Sequence, residues 1–354
     1  MTAFWTSPDF DEHESVTLVH DRPTGLTAII AIHSTHRGPA AGGTRFWHYV
    51  EPAEAMRDAL RLSRGMSYKN AMAGLPMGGG KAVILADAAR TRTPDMLAAF
   101  GAEIEALGGR YVTAEDVGMS EADMVAISRS TRHVTGLPPE DHGAAGGDPG
   151  PFTAQGVYLG IKAAVRHKLG WDSMAGVHVA IQGVGSVGGG AARWLAAEGA
   201  KLTLADLDAD RARALAAELG GEAVAADAII DVACDVFSPN ALGAILDDAG
   251  IARLQAPIVA GGANNQLARP EHGPKLAARG ILYAPDYVIN GAGIIAVALE
   301  YLARENGTDA SRAEVLRRVE EIPGRLEAIW RESDASGLSS DQVADAMARE
   351  LIGR

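Results

Sequence analysis

The sequence predicts an α/β protein of two domains, and three features predict it. A β-branched run, a glycine-rich turn and an Ala-rich segment follow one another over 177–199. Short apolar runs of strand length alternate with helical periodicity on either side of that unit. At 354 residues the chain is long enough for about two domains.

The central unit carries the most information. Residues 177–182 (VHVAIQ) read as a buried strand, and Gly183-Val184-Gly185-Ser186-Val187-Gly188 follow it. Residues 189–199 read as a helix, residues 201–205 as a second strand, and Asp206 stands 206 − 188 = 18 residues beyond the last glycine. This is the dinucleotide-binding pattern in full. Gly183 permits the tight turn, Gly185 lets the backbone approach a pyrophosphate, and Gly188 lets helix and strand pack closely. The free N–H groups of the helix start face phosphate charge. Asp206 would accept hydrogen bonds from the adenosine ribose and repel a 2′-phosphate, which favours NAD over NADP.

In chain order, 26–33 (LTAIIAIH) reads as a strand. Residues 52–64 read as a helix with Pro52 in its first turn, and Met56, Ala59, Leu60 and Ser63 share one face. Lys69 ends that helical region. A buried strand is expected at 82–86, a helix at 94–107 and a strand at 110–114. Residues 138–150 (PPEDHGAAGGDPG) are turn-formers and read as a linker. A helix over 153–168 stops at Gly170, and further strands are expected at 232–237, 258–260 and 281–283. The result is a doubly wound parallel sheet. Ser311 and Glu314 have capping-box spacing, Pro323 breaks the helix that follows, and 324–333 and 340–351 read as helices.

The formal charge is 32 − 45 = −13, which argues against nucleic acid and against an anionic membrane surface as partners. The single cysteine, Cys234, excludes an intrachain disulfide and fits a reducing, cytoplasmic setting. The first ten residues do not read as a signal peptide, and no apolar stretch is long enough to span a membrane.

Lys81 follows Gly78-Gly79-Gly80 but is not part of a phosphate loop, because Leu75 and Ala82 stand where glycine and Ser or Thr are required. The glycines imply close approach of the backbone to a ligand or to a neighbouring segment. A lysine pressed into such a pocket loses hydration, which suits it to general-base work, although lysine is ordinarily solvated. Asp116 is a candidate acid past a strand end, or the N-cap of a helix starting near Met119. Asn264, in GGANNQ beyond a sheet strand, is a candidate polar contact or a turn residue. Cys234 reads as a small buried residue. Phe46-Trp47-His48-Tyr49 reads as packing. The histidines, His33, His36 and His48 among them, show no metal-binding spacing, so no metal is expected.

Seven segments together carry a resemblance: GPAAGGTRFW (38–47), LRLSRGMSYKN (60–70), GLPMGGGKAVI (74–84), GRYVTAEDVG (109–118), QGVGSVG (182–188), GGANNQL (261–267) and YAPDYVINGAG (283–293). In this order they resemble the Glu/Leu/Phe/Val dehydrogenase family, and more narrowly its leucine, valine and phenylalanine branch. The resemblance implies an N-terminal α/β substrate domain and a Rossmann-type NAD-binding domain separated by a cleft. It assigns 1–137 plus 324–354 to the substrate-binding and oligomerisation domain and 138–323 to the NAD domain.

By the same resemblance, Lys69 holds the substrate α-carboxylate, Lys81 is the catalytic lysine, and Asp116 handles the amino-group protons. Ala41, Gly42, Ala114, Ile294 and Val297 fall at substrate-binding positions, and Asn264 is near both substrate and nicotinamide. Arg45, Thr153, Ala263 and Asn290 join the glycine turn and Asp206 as cofactor-binding positions. The implied reaction is NAD-dependent oxidative deamination of an apolar L-amino acid to a 2-oxo acid and ammonia, in a homo-oligomer. The glutamate branch has a lysine at the position of Ala41, so glutamate is disfavoured. The leucine-type enzymes have GPALGG there, and Ala41, with the small Ala114, opens room for an aromatic side chain. INGAG (289–293) differs from the usual NAGG order, and Asn240 stands where a cysteine is common. The competing readings are a phenylalanine or tryptophan dehydrogenase, a NAD-binding protein without catalysis, and a 2-hydroxy-acid dehydrogenase. The last lacks its His–carboxylate arrangement, and a binding protein needs none of Lys69, Lys81 and Asp116.

Overall fold

The computed structural model describes residues 4–89, 91–138, 148–241 and 243–353. The expected linker at 138–150 lies mostly outside them, at 139–147. The chain divides into two compact units, Met1–Asp148 with Ile294–Val315 and Ala348–Arg354, and Pro149–Gly293 with Leu316–Met347.

In the first unit the order is β1 Ser15–Asp21, β2 Leu26–Ser34, β3 Ala40–Ala41, β4 Thr44–Trp47, α1 Pro52–Met72, β5 Gly78–Leu85, α2 Pro94–Ala106, β6 Tyr111–Val112 and α3 Glu121–Ser128. The sheet is mixed, ordered β1-β2-β5-β3-β6 with β4 also on β5. Strands β1 and β2 run antiparallel, as do β2 and β5, while β3 and β4 lie parallel to β5. The unbroken apolar run of β2 follows from burial on both faces. Ala28, Ile30 and Ile32 join Phe100, Ile104, Met124 and Ile127 of α2 and α3 in one core. Ile29 and Ala31 join Ala55 and Ala59 of α1 in another. Thr93 caps α2, its side chain accepting the Met96 N–H at 3.2 Å.

The second unit begins with α4 Gly150–Leu169, which ends on left-handed Gly170. It continues through β7 His178–Gln182, α5 Ser186–Ala197, β8 Lys201–Ala205, α6 Ala209–Leu219, β9 Glu222–Ala223, β10 Val236–Pro239, α7 Asp248–Arg253, β11 Ile258–Val259, α8 His272–Ala278, β12 Leu282–Tyr283 and α9 Asp286–Ile289. Its sheet is parallel throughout, ordered β12-β11-β10-β7-β8-β9. Strand order therefore reverses between β7 and β10, the switch point at which doubly wound sheets take ligands. The strand expected at 232–237 starts only at Val236, because Asp235 takes over the pairing with β7. The Asp235 carboxylate accepts the His178 N–H at 2.8 Å, and the Asp235 N–H donates to the His178 carbonyl at 2.9 Å.

The C-terminal helices are α10 Ala292–Asn306, α11 Arg312–Val319, α12 Ile322–Ser336 and α13 Ser340–Leu351. Pro323 opens α12 rather than ending a helix inside it. Here the units differ from the sequence-based domains. All of 324–354 was expected in the substrate domain, but residues up to Met347, α12 among them, pack in the second unit. Trp330 is fully buried there, its indole N–H donating to the Tyr283 carbonyl at 3.0 Å. Conversely, 294–315 belongs to the first unit. Glu300 of α10 accepts the N–H groups of Gly136 and Leu137 at 3.0 and 3.4 Å, and the Tyr301 hydroxyl lies 2.9 Å from His133 Nδ1.

Candidate active site

The first unit gathers the charged groups. Each glycine before Lys81 meets protein. A Cβ on Gly78 would lie 1.9 Å from the Ser34 carbonyl oxygen, one on Gly79 2.0 Å from Ser67 N of α1, and one on Gly80 2.7 Å from the Tyr111 ring. The glycines therefore serve close approach of neighbouring segments, the second of the two roles offered by the sequence. Lys81, the next residue of β5, is 4% exposed.

Lys81 Nζ lies 2.9 Å from Asp116 Oδ2. Asp116 stands on the segment after β6 that runs beside β4, where Thr44 N–H donates to the Ala114 carbonyl and Phe46 N–H to that of Val117. Gly43 makes room for it, since a Cβ there would come within 2.9 Å of the Asp116 Cβ. Asp116 does not cap α3. Ser120 precedes that helix, and its N–H and hydroxyl both donate to Asp123 Oδ2, at 2.8 and 2.7 Å.

Burial pushes the Lys81 amine below its ordinary value. The charge and hydrogen bond of Asp116 oppose that push, and Arg45 adds to it. Burial pushes Asp116 upward, but Lys81 and Arg45 outweigh it and hold the carboxyl below its ordinary range. The arrangement is a buried amine that releases its proton more readily than a free lysine, beside a carboxylate kept ionised.

Lys69 stands half-buried on the last turn of α1. The adjacent Asn70 amide donates to the carbonyls of Ala41 and Gly78, at 3.3 and 2.5 Å, so this end of α1 is tied to β3 and β5. Ala41 is buried, and the Gly42 carbonyl accepts the Tyr111 hydroxyl at 2.6 Å. Ala114 is half-buried, and Ile294 and Val297 lie buried in the first unit. Arg45 also belongs to this unit. Its guanidinium is shared between Asp116 and Asp58, at 2.9 and 2.7 Å. Asp58 and the Tyr49 hydroxyl bonded to it went unnoticed in the sequence, where Asp58 reads as the polar side of a helix and Tyr49 as packing.

The second unit holds the glycine turn. Gly183 has φ +84°, and its N–H donates to the Ala205 carbonyl at 2.7 Å. A Cβ on Gly188 would lie 1.9 Å from the Gly183 carbonyl oxygen, whereas one on Gly185 would meet nothing within 4 Å. Gly188 is thus required by the protein itself, while Gly185 leaves the start of α5 open for a ligand. That opening, with the N–H groups of the first turn around Ser186 and Val187, fits a dinucleotide pyrophosphate. Asp206 directly follows β8 and is already bonded. Its Oδ2 accepts the Val184 N–H at 2.8 Å, its Oδ1 accepts the Asp208 N–H at 2.9 Å, and Arg211 stands 3.6 Å away.

On the other side of the switch point, Asn264 Oδ1 accepts the Asn290 amide at 2.8 Å, and that amide also reaches the Gly262 carbonyl at 3.2 Å. The Ala263 N–H donates to the Pro239 carbonyl at 2.9 Å. Asn240 has a structural task that the sequence did not suggest, its Oδ1 accepting the Gly262 N–H at 2.8 Å. In the INGAG segment, a Cβ on Gly293 would lie 2.8 Å from Thr153 Oγ1, so these two positions are neighbours. Cys234 is half-buried and its thiol is pushed up to about 11 by burial, as suits an unreactive cysteine. No helix among the described residues is long and apolar enough to cross a membrane.

Two family models match the chain. "Glu/Leu/Phe/Val dehydrogenase, dimerisation domain" matches residues 13–133, and "Glutamate/Leucine/Phenylalanine/Valine dehydrogenase" matches 204–351. The chain is 46% identical over 341 residues to leucine dehydrogenase of Thermoactinomyces intermedius, covering 96% of this chain and 91% of the relative. It is 45% identical over 343 residues to valine dehydrogenase of Streptomyces albus, covering 96% and 92%. Among solved structures it is similar to L-tryptophan dehydrogenase from Nostoc punctiforme, with a TM-score of 0.84, 38% identity and 96% of each chain covered.

Proposed function

Because the chain belongs to the Glu/Leu/Phe/Val dehydrogenase family, we propose that it oxidatively deaminates a branched-chain L-amino acid, with NAD as hydride acceptor. The single observation that carries the reading is the buried Lys81 paired with Asp116 at 2.9 Å. A binding protein has no use for a desolvated amine held beside a carboxylate, whereas this reaction needs a base and a proton carrier at one carbon.

Lys69 pairs with the substrate α-carboxylate and fixes the α-carbon. The chemistry supplied by bound NAD is acceptance of the hydride from that carbon, and Gly183, Val184, Gly185, Ser186, Val187, Gly188, Asp206 and Thr153 would hold the cofactor. The substrate is then an imine. Lys81, whose proton burial makes easier to lose, acts in its neutral form and takes a proton from the water that attacks the imine carbon. Asp116 receives and returns the protons of the nitrogen as the C–N bond breaks and ammonia leaves. The balance is amino acid, water and NAD in, and 2-oxo acid, ammonium, NADH and a proton out. Ala41, Gly42, Ala114, Ile294 and Val297 supply an apolar surround for the side chain, Asn264 is a polar contact to substrate and nicotinamide, and Asn290 joins the residues that would hold the cofactor. Homo-oligomeric assembly and a cytoplasmic location belong to the same reading.

Stoichiometry tests it. Leucine or valine should yield 2-oxo acid, ammonia and NADH in equal amounts, and NADH formed without ammonia contradicts deamination. A second reading, an aromatic L-amino acid as main substrate, is favoured by the small Ala41 and by the similarity to a tryptophan dehydrogenase.

A further inference from the structure

Arg45 links the catalytic pair to a residue outside it. Its Nε–H donates to Asp116 Oδ2 at 2.9 Å, and an Nη1 hydrogen donates to Asp58 Oδ2 at 2.7 Å. Asp58 stands on the second turn of α1. Its Oδ2 also accepts the Tyr49 hydroxyl at 2.9 Å, and its Oδ1 accepts from Arg61 at 3.2 Å. The Arg45, Asp58 and Asp116 side chains are only 21%, 20% and 23% exposed. A planar guanidinium can join two carboxylates in fixed directions, which a lysine ammonium on a flexible stem cannot do.

Both cations on Asp116 use the same oxygen, Lys81 Nζ and Arg45 Nε each lying 2.9 Å from Oδ2. Two cations on one oxygen restrict the turning of the carboxylate.

We propose that Asp58, acting through Arg45, is a positioning residue of the dehydrogenase site, holding the Asp116 carboxylate in one orientation, with Oδ2 on the two cations, for its exchange of protons with the substrate nitrogen. The inference rests on the deamination reading above. It gives Arg45 a task within the first unit, using its Nε and Nη1.

The relay also sets the field at Lys81. Among the described residues, the charged groups acting on that amine are Asp116 beyond β6, Arg45 on β4 and Asp58 on α1, with Tyr111 and Tyr49 coupled to these in turn. Arg45 favours the neutral amine, and Asp58 opposes it from farther away. Removing one or the other must therefore move the acid-side limb of the rate profile in opposite directions. Arg45→Gln moves it to higher pH and Asp58→Asn to lower pH. Simple structural damage has no such antisymmetry.

The experiment measures kcat and KM of the full-length protein with its best amino acid across pH, for the wild type and for Asp58→Asn, Arg45→Gln, Arg45→Lys and Tyr49→Phe, each checked for folding by circular dichroism. Asp58→Asn and Arg45→Lys should lower kcat on the order of 100-fold, the cost of misplacing a reacting group, with much smaller changes in KM. Tyr49→Phe keeps every charge and should lose less, so it decides the matter if a charge variant fails to fold. Folded Asp58→Asn and Arg45→Lys proteins with wild-type kcat and unmoved limbs overturn the proposal, as do limbs that move the same way in Asp58→Asn and Arg45→Gln. An active wild type with insensitive variants overturns this inference alone. A wild type inert on every amino acid overturns the deamination reading and this inference with it.

Discussion

Lys81 Nζ and Asp116 Oδ2 lie 2.9 Å apart, with the lysine 4% exposed. Taking an ammonium out of water is costly, so this pair persists because the carboxylate compensates the charge and because Arg45 prevents the carboxylate from turning away. The same desolvation eases release of the lysine's proton, as the proposed base requires, so one packing arrangement serves both stability and the proposed chemistry.

Lys81→Ala should lower kcat by about 100-fold to 10,000-fold, the usual contribution of a positioned acid or base. NAD affinity should persist, because the glycine turn belongs to the other unit. Rates of NADH formation and a fluorescence titration with NAD check the two halves. A variant with near-normal turnover removes Lys81 from the mechanism.

The rate of deamination should rise with pH as Lys81 loses its proton, with an apparent value below the 10.5 of an ordinary lysine. Stability carries the opposite-charge counterpart. The folded Asp116 carboxyl titrates below its ordinary 3.8, so its contribution is complete above 3.8 and is lost as pH falls through the folded value. Urea unfolding of the wild type and Asp116→Asn should show a stability gap at neutral pH that closes in acid. A gap that widens in acid contradicts the sign.

Gly185→Ala and Gly188→Ala should separate ligand binding from folding. The first places a methyl group in open space at φ −69°, which any L residue tolerates, and should leave the melting temperature unchanged while weakening NAD. The second drives a methyl group to 1.9 Å from a carbonyl oxygen and should cost about 1–3 kcal/mol or more of stability. Thermal melts and NAD titrations of both variants read out the difference. Loss of stability in Gly185→Ala would show that the turn is packed against protein there.

Asp206→Ser should narrow the preference for NAD over NADP, but at the expense of both. The carboxylate accepts the Val184 N–H inside the turn, so its removal costs about 1.5–3 kcal/mol of charge-assisted hydrogen bonding as well as the ribose contact. Titrating each cofactor separately tests this. Undiminished NAD affinity would mean that the turn holds itself without Asp206.

Much of the second unit was legible because its strands are local and apolar. The run at 201–205 became β8 residue for residue, and the Gly183–Gly188 turn took the backbone that its glycines imply. The first unit was less legible. Ala40–Ala41 is a two-residue strand fixed by pairing across the sheet, and no local periodicity marks so short an element, whereas the strand expected at 110–114 is present but shortened to Tyr111–Val112. Lys81 and Asp116 were visible as candidates through their neighbours in sequence. Arg45 and Asp58 were not visible as partners, because their contact joins β4 to α1 through side chains alone. The helices expected at 324–333 and 340–351 lie within α12 and α13, but α10 was not placed, and the unit to which each helix belongs was not legible, since Trp330 and Tyr301 look alike as buried aromatics until their partners Tyr283 and His133 are known.

The most direct test of the central claim is kcat/KM for NADH formation at mildly alkaline pH with NAD and each of Leu, Val, Ile, Met, Phe, Trp, Ala and Glu. The account predicts the highest values for Leu, Val or Ile and little or none for Glu, which finds no lysine at Ala41 to meet its side chain. A strong preference for Phe or Trp would contradict the branched-chain assignment while keeping the mechanism, and silence across the panel with NAD still bound would contradict the catalytic account itself.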